Sequence, residues 1–463
     1  MRARWSIAVL ILVLAAGGCV RRGAGADAQT LLARGDYAGA ERAADRQLAG
    51  APDDAALWRL KMDAVMRQGD HQRAVVLYLA WHRKLRHYDP RAIRVLAVAV
   101  VREAARDPDP AVRARAVSMA AHLAPELGEV ARTALADPNP WVRVAAARAV
   151  GGDRGRTVAR ALLSDPAVRI RAAAVAVVGR DDRAAAMAAL ADPSPRVRGA
   201  AVRASSKRRA ATVRRRLLAL ATSDPDGSVR ADALRTLDPG TVASVDAALR
   251  ALDDDYLGAR LAAIFILERD TERGIPALRA AVTSPEPYTA LRAAVALGKA
   301  NVAVGSDVVD RAMADRRWNV RAAGLNAVAR IAPRADAIRI ARRSLVDDNL
   351  EVRMAAARAL ARLGETGKAA AAYQAALSAP DDDARLQAAL GLLLLGDDSA
   401  IDALTKLLSS PDPATRAAAA TSLGRSSEVP LALIRALADP DTTVRLAAAA
   451  AIGGPYRGRN AWN

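Results

Sequence analysis

From residue 107 onward, apolar and polar positions along the chain fall into blocks that recur in a fixed order. A short apolar stretch such as ARTALAD (131–137) leads into an acidic, Pro-containing turn, then usually Val-Arg, then an Ala-rich run. The phrase reads DPDPAVRARAV at 107–117, DPNPWVRVAAARAV at 137–150, DPSPRVRGAAV at 192–202 and DPDTTVRLAAAAAIG at 439–453. Twelve arginines align on it: Arg113, Arg143, Arg169, Arg198, Arg230, Arg260, Arg292, Arg321, Arg353, Arg385, Arg416 and Arg445, spaced by about 30 residues. That period holds two helices and two turns. Asp caps the turn, and Pro opens the second helix at a position where its missing N–H costs little. Val and Ala form the buried stripe. Gly151, Gly179, Gly298, Gly364 and Gly424 are expected to end the second helices by supplying a left-handed conformation. One such pair cannot bury its apolar faces, so pairs must stack. The pattern predicts an all-α solenoid.

These features resemble HEAT repeats, especially the short form found in phycobilisome-lyase-like proteins, over residues 91–454. The resemblance implies a right-handed α-α superhelix of about twelve helical pairs. It also implies a ladder in which each turn Asp meets an Arg of a neighbouring repeat. Carried over, the acidic partners are Asp107, Asp137, Asp192, Asp224, Asp315, Asp347 and Asp439. Ser284 and Ser410 replace the Asp in two units, and Ala384-Arg385 replaces Val-Arg in another, so those rungs should be looser. The recurrent arginines are thus first a structural device.

Ahead of the array, residues 29–90 carry a different spacing. Gly35-Asp36-Tyr37 returns as Gly69-Asp70-His71, and Ala40 as Ala74, each 34 residues later. This resembles the tetratricopeptide repeat. Two such units are too few to stand alone, so the segment is expected to dock on the solenoid as an N-terminal cap; a peptide-binding groove is the alternative.

The first residues read MRARWSIAVLILVLAAGGC. Arg2 and Arg4 precede an apolar core, Ile7 to Ala16, that is too short for a spanning helix. Ala16, Gly17 and Gly18 then lead into Cys19, the sole cysteine. The arrangement resembles the lipobox of bacterial lipoproteins, although Ala16 stands where Leu is commonest. The resemblance implies a signal peptide over 1–18, a diacylated Cys19 and a linker over 19–28. Acyl chains would anchor the protein to a membrane leaflet. Val20 after the cysteine points to the outer membrane by resemblance to lipoprotein sorting, with the rest of the chain facing the periplasm. Residues 455–463 form a Gly-rich tail too short for another repeat.

Composition agrees with helices: 52% hydrophobic residues but only 3% aromatic ones, so Ala, Val and Leu make the core. The net charge of +19 suits an anionic partner, but an Arg- and Ala-rich genome would leave the same imprint.

Little in the sequence suggests catalysis. His71, His82, His87 and His122 lack metal-ligand spacing, and no second cysteine exists. Gly364-Glu365-Thr366-Gly367-Lys368 lacks the first Gly and the final Ser or Thr of a phosphate loop. Asp253-Asp254-Asp255 and Asp381-Asp382-Asp383 sit where helix caps belong, with calcium as a minor alternative. Trp141 and Trp318 open second helices and are candidate partner anchors. No metal, cofactor or catalytic residue is implied. The reading is a non-enzymatic scaffold, membrane-anchored, binding protein partners at the bacterial envelope. Nucleic acid or another polyanion on a basic face is the alternative; export and the lack of a dense Lys/Arg block interleaved with aromatics argue against it. A bilin-lyase-like enzyme is the remote third.

Overall fold

The computed structural model describes residues 25–85, 88–123, 127–179, 181–206, 210–304, 306–426 and 429–453. Every regular element among them is a helix. The signal segment, Cys19 and the tail lie outside the described residues.

Four helices come first: α1 (Gly25–Ala33), α2 (Tyr37–Gly50), α3 (Ala55–Arg67) and α4 (His71–Leu85). Twelve pairs follow. They begin with α5 (Pro90–Ala104) and α6 (Pro110–Leu123), α7 (Gly128–Thr133) and α8 (Pro140–Val150), then α9 (Gly152–Ala161) and α10 (Val168–Val178). Next are α11 (Arg183–Ala189) and α12 (Pro195–Ala204), α13 (Ala211–Ser223) and α14 (Gly227–Thr236), and α15 (Val242–Ala251) and α16 (Leu257–Leu267). Then come α17 (Gly274–Ala281) and α18 (Pro287–Lys299), α19 (Asp307–Met313) and α20 (Trp318–Ile331), and α21 (Arg334–Arg343) and α22 (Leu350–Arg362). The last are α23 (Thr366–Ala376) and α24 (Asp382–Leu394), α25 (Ser399–Leu407) and α26 (Pro413–Leu423), and α27 (Leu431–Arg435) and α28 (Thr442–Gly453).

Each even-numbered helix from α6 packs on the next even-numbered one, while the odd-numbered helices pack mainly on the even-numbered helices beside them. In a curved stack the closely spaced layer is the inner one, so the Ala-rich second helices line the concave side. Ala is the reason they fit: residues such as Ala146, Ala174, Ala233, Ala263 and Ala357 are fully buried and let backbones approach.

The array does not end in two free faces. α28 packs against α5 and α6 just as each inner helix packs on the following pair. A single apolar core joins Ile93, Leu96 and Val100 of α5 to Val444, Ala448 and Ile452 of α28. The twelve pairs therefore close into a ring. With inner helices about 9 Å apart and about 10 Å thick, the bore is about 25 Å across.

The inner glycines show that the seam is an ordinary step. A Cβ on Gly179 of the α10 end would lie 2.8 Å from Ala204 of α12, and one on Gly424 would lie 2.8 Å from Ala451 of α28. One on Gly298 would lie 2.4 Å from the Arg330 carbonyl, and one on Gly453, at the seam, 2.4 Å from Leu123 of α6. Positive φ holds for Gly151 (60°) and Gly364 (83°). Gly179, Gly298 and Gly424 keep ordinary helical φ, so the expected left-handed stop is wrong for them; the next helix leaves no space for a side chain. Gly298→Ala is expected to cost about 1–3 kcal/mol by overpacking against rigid backbone, read as a fall in the denaturant midpoint.

The N-terminal helices α1–α4 form two hairpins whose small residues Ala40 and Ala74 are fully buried. They do not cap the first repeat alone. α4 packs on α5 and also on α27 and the 3-10 turn Ala436–Ala438, burying Tyr78 and Trp81 completely. The segment lies across the seam and joins both ends of the array.

Candidate functional site

The ladder arginine occupies the fourth residue after the N-cap of the inner helices other than α18. At that register its Nη1 donates to two carbonyls of its own turn. Arg113 reaches the Asp107 and Pro108 carbonyls at 2.9 Å each, and Arg143, Arg198, Arg353, Arg416 and Arg445 repeat the pattern. Nε and Nη2 are left pointing to the next repeat. There Arg113 grips Asp137 (2.9 and 3.0 Å), Arg198 grips Asp224, Arg321 grips Asp347 and Arg416 grips Asp439. Each acid also accepts the N–H two residues on, as Asp137 does from Asn139, so one carboxylate organises a turn and joins two repeats.

Three positions correct the sequence alignment. Arg171, not Arg169, is the ladder residue of its repeat and holds Asp192 at 3.1 and 3.2 Å. Counting six residues from Asp165 finds it; following Val-Arg does not. Arg169 instead stacks over Trp141, 5.1 Å from the ring centroid. Arg292 is also off the register, which falls on Ala290, and Arg292 meets Glu268 at 3.2 Å. The partner of Arg230 is Asp254, from the triplet read as a cap, at 2.7 Å.

Several rungs are incomplete. Asp315 binds its own Arg317, and Asp107 accepts from the Asp109 N–H with no arginine ion pair among the described residues. Arg260 finds Thr289 Oγ1 at 3.2 Å where Ser284 replaces the acid. Arg385 turns back to Asp382, which also accepts from Ser410 Oγ. Among the described residues, Arg143 and Arg353 hold only their own turn carbonyls. At the seam Arg445 faces Glu103 of α5 at 3.7 Å, and His71 of α4 lies 3.2 Å from the same carboxylate. Glu103 was not picked out from the sequence, since nothing local marks it.

The hydrogen bond from Arg321 holds the Asp347 carboxyl down to about 2, and that from Arg113 lowers Asp137. A depressed carboxyl contributes stability that is present above its unfolded value near 4 and is lost as pH falls through the folded value. Ring stability is therefore expected to hold to about pH 4 and to fall between about pH 4 and 2. Asp347→Asn should lower the melting temperature at neutral pH and flatten that fall, which melting curves against pH will show.

The inner wall is the other candidate surface. Beyond the buried positions, the inner helices keep an exposed or half-buried stripe at the second and ninth residues after the cap and, where described, the thirteenth, while the sixth is buried in α12, α16, α22 and α28 at Ala200, Ala262, Ala355 and Ala447. Pairs between neighbouring helices mark it: Arg203 with Asp232, Lys299 with Glu268, Gln387 with Glu351. Trp141 opens this stripe in α8, half-buried under Arg169. Trp318 lies one residue off it and is 47% exposed.

No group of acidic, His or Cys residues able to hold a metal occurs among the described residues, and no described helix is long and apolar enough to cross a membrane. Asp381 caps α24 through the Ala384 N–H, and Gly364–Lys368 is the turn between α22 and α23. His82 stacks on Tyr78, whose hydroxyl burial pushes up to about 12.

The chain is a HEAT-like helical-repeat protein with an all-α solenoid fold. A family model described as HEAT repeats matches residues 369–453. No curated protein matches the chain in sequence. Among solved structures it is similar to the complex of CpcE and CpcF of phycocyanin lyase from Nostoc sp. PCC7120, at 21% identity and TM-score 0.30, over 57% of this chain and 92% of that one. It is also similar to the karyopherin Kap121p bound to the extreme C-terminus of the protein phosphatase Cdc14p, at 12% identity and TM-score 0.33, over 86% and 52%. Human deoxyhypusine hydroxylase in complex with glycerol is similar at 22% identity and TM-score 0.23, over 52% and 94%.

Proposed function

We propose that this protein is a non-enzymatic, ring-shaped scaffold for protein partners, tethered to the bacterial cell envelope by a lipid on Cys19. The observation behind the scaffold reading is the continuous inner wall of twelve second helices, an extended surface built on a rigid frame. The tether rests on the sequence: residues 1–18 are the signal peptide, the linker that begins at Cys19 gives way to α1 at Gly25 and so is shorter than the 19–28 read from the sequence, and the ring stands on the periplasmic side of the outer membrane. The test is crosslinking purification from envelopes, comparing wild type with Cys19→Ala. Wild type should sediment with membranes and return a reproducible protein partner, and Cys19→Ala should become soluble. A variant that stays membrane-bound overturns the tether; a wild type that returns no reproducible partner overturns the scaffold.

A further inference from the structure

The exposed stripes of the inner helices are not neutral. Toward the C-terminal ends of α8, α20 and α22, and in the turn just after α26, stand Arg148, Arg330, Arg358, Arg362 and Arg425. None of these five forms an ion pair with a carboxylate among the described residues, although ion pairs elsewhere in the ring are frequent. Leu394 of α24, 76% exposed, stands thirteen residues after its cap, the same register as Arg362 on the neighbouring α22 and Arg425 after the neighbouring α26. Farther round the same band lie the half-buried Ala176, Phe265 and Val295. Of the acids on the inner helices, Asp232 is engaged by Arg203 and Arg235, Glu268 by Arg292 and Lys299, and Glu351 by the Gln387 amide, while the exposed Asp383 stands in the first turn of α24, at the other end of that helix from Leu394.

We infer that this band is a docking surface for an acidic, partly apolar polypeptide segment held inside the ring; the inference rests on the scaffold reading. Guanidinium groups pair with carboxylates in a planar, two-pronged geometry, and they carry their charge at all physiological pH. Five of them with no carboxylate partner raise the potential of a concave wall, where field lines concentrate. Apolar side chains between them match a polypeptide, which presents alternating acidic and aliphatic groups, better than a sugar-phosphate backbone. Nucleic acid is further disfavoured because the wall's aromatics are few, and Phe265 and Trp141 are covered by Arg269 and Arg169. A bore of about 25 Å admits one helix or extended segment with space for side chains.

The test uses the detergent-solubilised full chain and a fluorescein-labelled peptide of Glu-Leu-Asp repeats, read by anisotropy. A Lys-Leu-Lys peptide and a short DNA duplex are the comparison probes. The acidic peptide should bind and the basic one should not. Arg330→Gln/Arg358→Gln/Arg362→Gln should weaken binding by about tenfold or more, equivalent to about 1.4 kcal/mol. Arg214→Gln/Arg279→Gln, on the outer helices α13 and α17, should leave it unchanged. Circular dichroism and melting of the triple variant check that the ring is intact, and Leu394→Glu supplies a second, independent loss. Equal binding by the folded triple variant overturns the inference, as does tighter binding of the duplex than of the acidic peptide. Photo-crosslinkers placed at Leu394 and at Val242 on outer helix α15 separate the two readings in envelopes. Protein adducts from Val242 alone leave the scaffold standing and remove the docking band. Adducts from neither remove the scaffold, and the peptide titration then decides the chemistry of the band by itself.

Discussion

Arg198→Ala is expected to destabilise the ring by about 3–5 kcal/mol, the cost of stranding a buried charge. The Asp224 side chain is only 2% exposed and receives Arg198 through two bonds of 2.8 Å. Without the guanidinium, that carboxylate keeps only the Asp226 N–H at 2.9 Å, and the Asp192 and Pro193 carbonyls lose a shared donor. The informative comparison is Arg353→Ala. Arg353 makes the same carbonyl clamp but reaches no carboxylate among the described residues, so its loss should cost only about 1 kcal/mol. Repeat arrays respond locally, so hydrogen exchange in Arg198→Ala should accelerate over residues 192–236 before elsewhere. Equal effects of the two substitutions, in melting and in exchange, would falsify the account of the ladder as an inter-repeat bond.

A second large effect is expected at the seam. Leu96 of α5 is 1% exposed and belongs to the core shared with α28. Leu96→Asp places an unpaired carboxylate there, at a desolvation cost of several kcal/mol. The array has no need of the seam to keep its other repeats folded, because each pair depends on its neighbours. The ring is therefore expected to open into an arc: the radius of gyration from small-angle scattering rises, while far-ultraviolet circular dichroism is nearly unchanged. The same change at Leu325 of α20, fully buried in mid-array, should instead unfold the adjacent repeats and lower the helical signal. A folded Leu96→Asp protein with the wild-type scattering curve would show that the ends are held by something other than this core.

Much of this was legible in the chain because local rules act at short range. Asp and Pro at a turn, an Arg six residues on and Ala-rich runs at a 30-residue period led directly to stacked helical pairs. Where one unit departs from the consensus wording, the motif misled: Val168-Arg169 matched the phrase, yet Arg171 holds the position whose side chain reaches the next turn. A helix turns 100° per residue, so a shift of two positions swings a side chain from the inter-repeat groove to the inner wall. The glycines misled for a related reason. A residue type that permits positive φ also permits close approach, and only a neighbour 2.4–2.8 Å from the missing Cβ tells the two uses apart.

The sequence by itself determined the repeat, its helices, its caps and most of the acid–arginine pairs, since each is set by residues within about one repeat of one another. Closure was decided only in the tertiary structure. Whether twelve pairs form an open superhelix or a ring depends on the small angle between successive pairs, summed over the whole array. That angle comes from how particular small residues such as Gly298 and Ala451 let backbones meet, not from any local pattern. The seam, the α4 helix laid across it, and the gathering of Arg148, Arg330, Arg358, Arg362 and Arg425 onto one inner wall all follow from that sum.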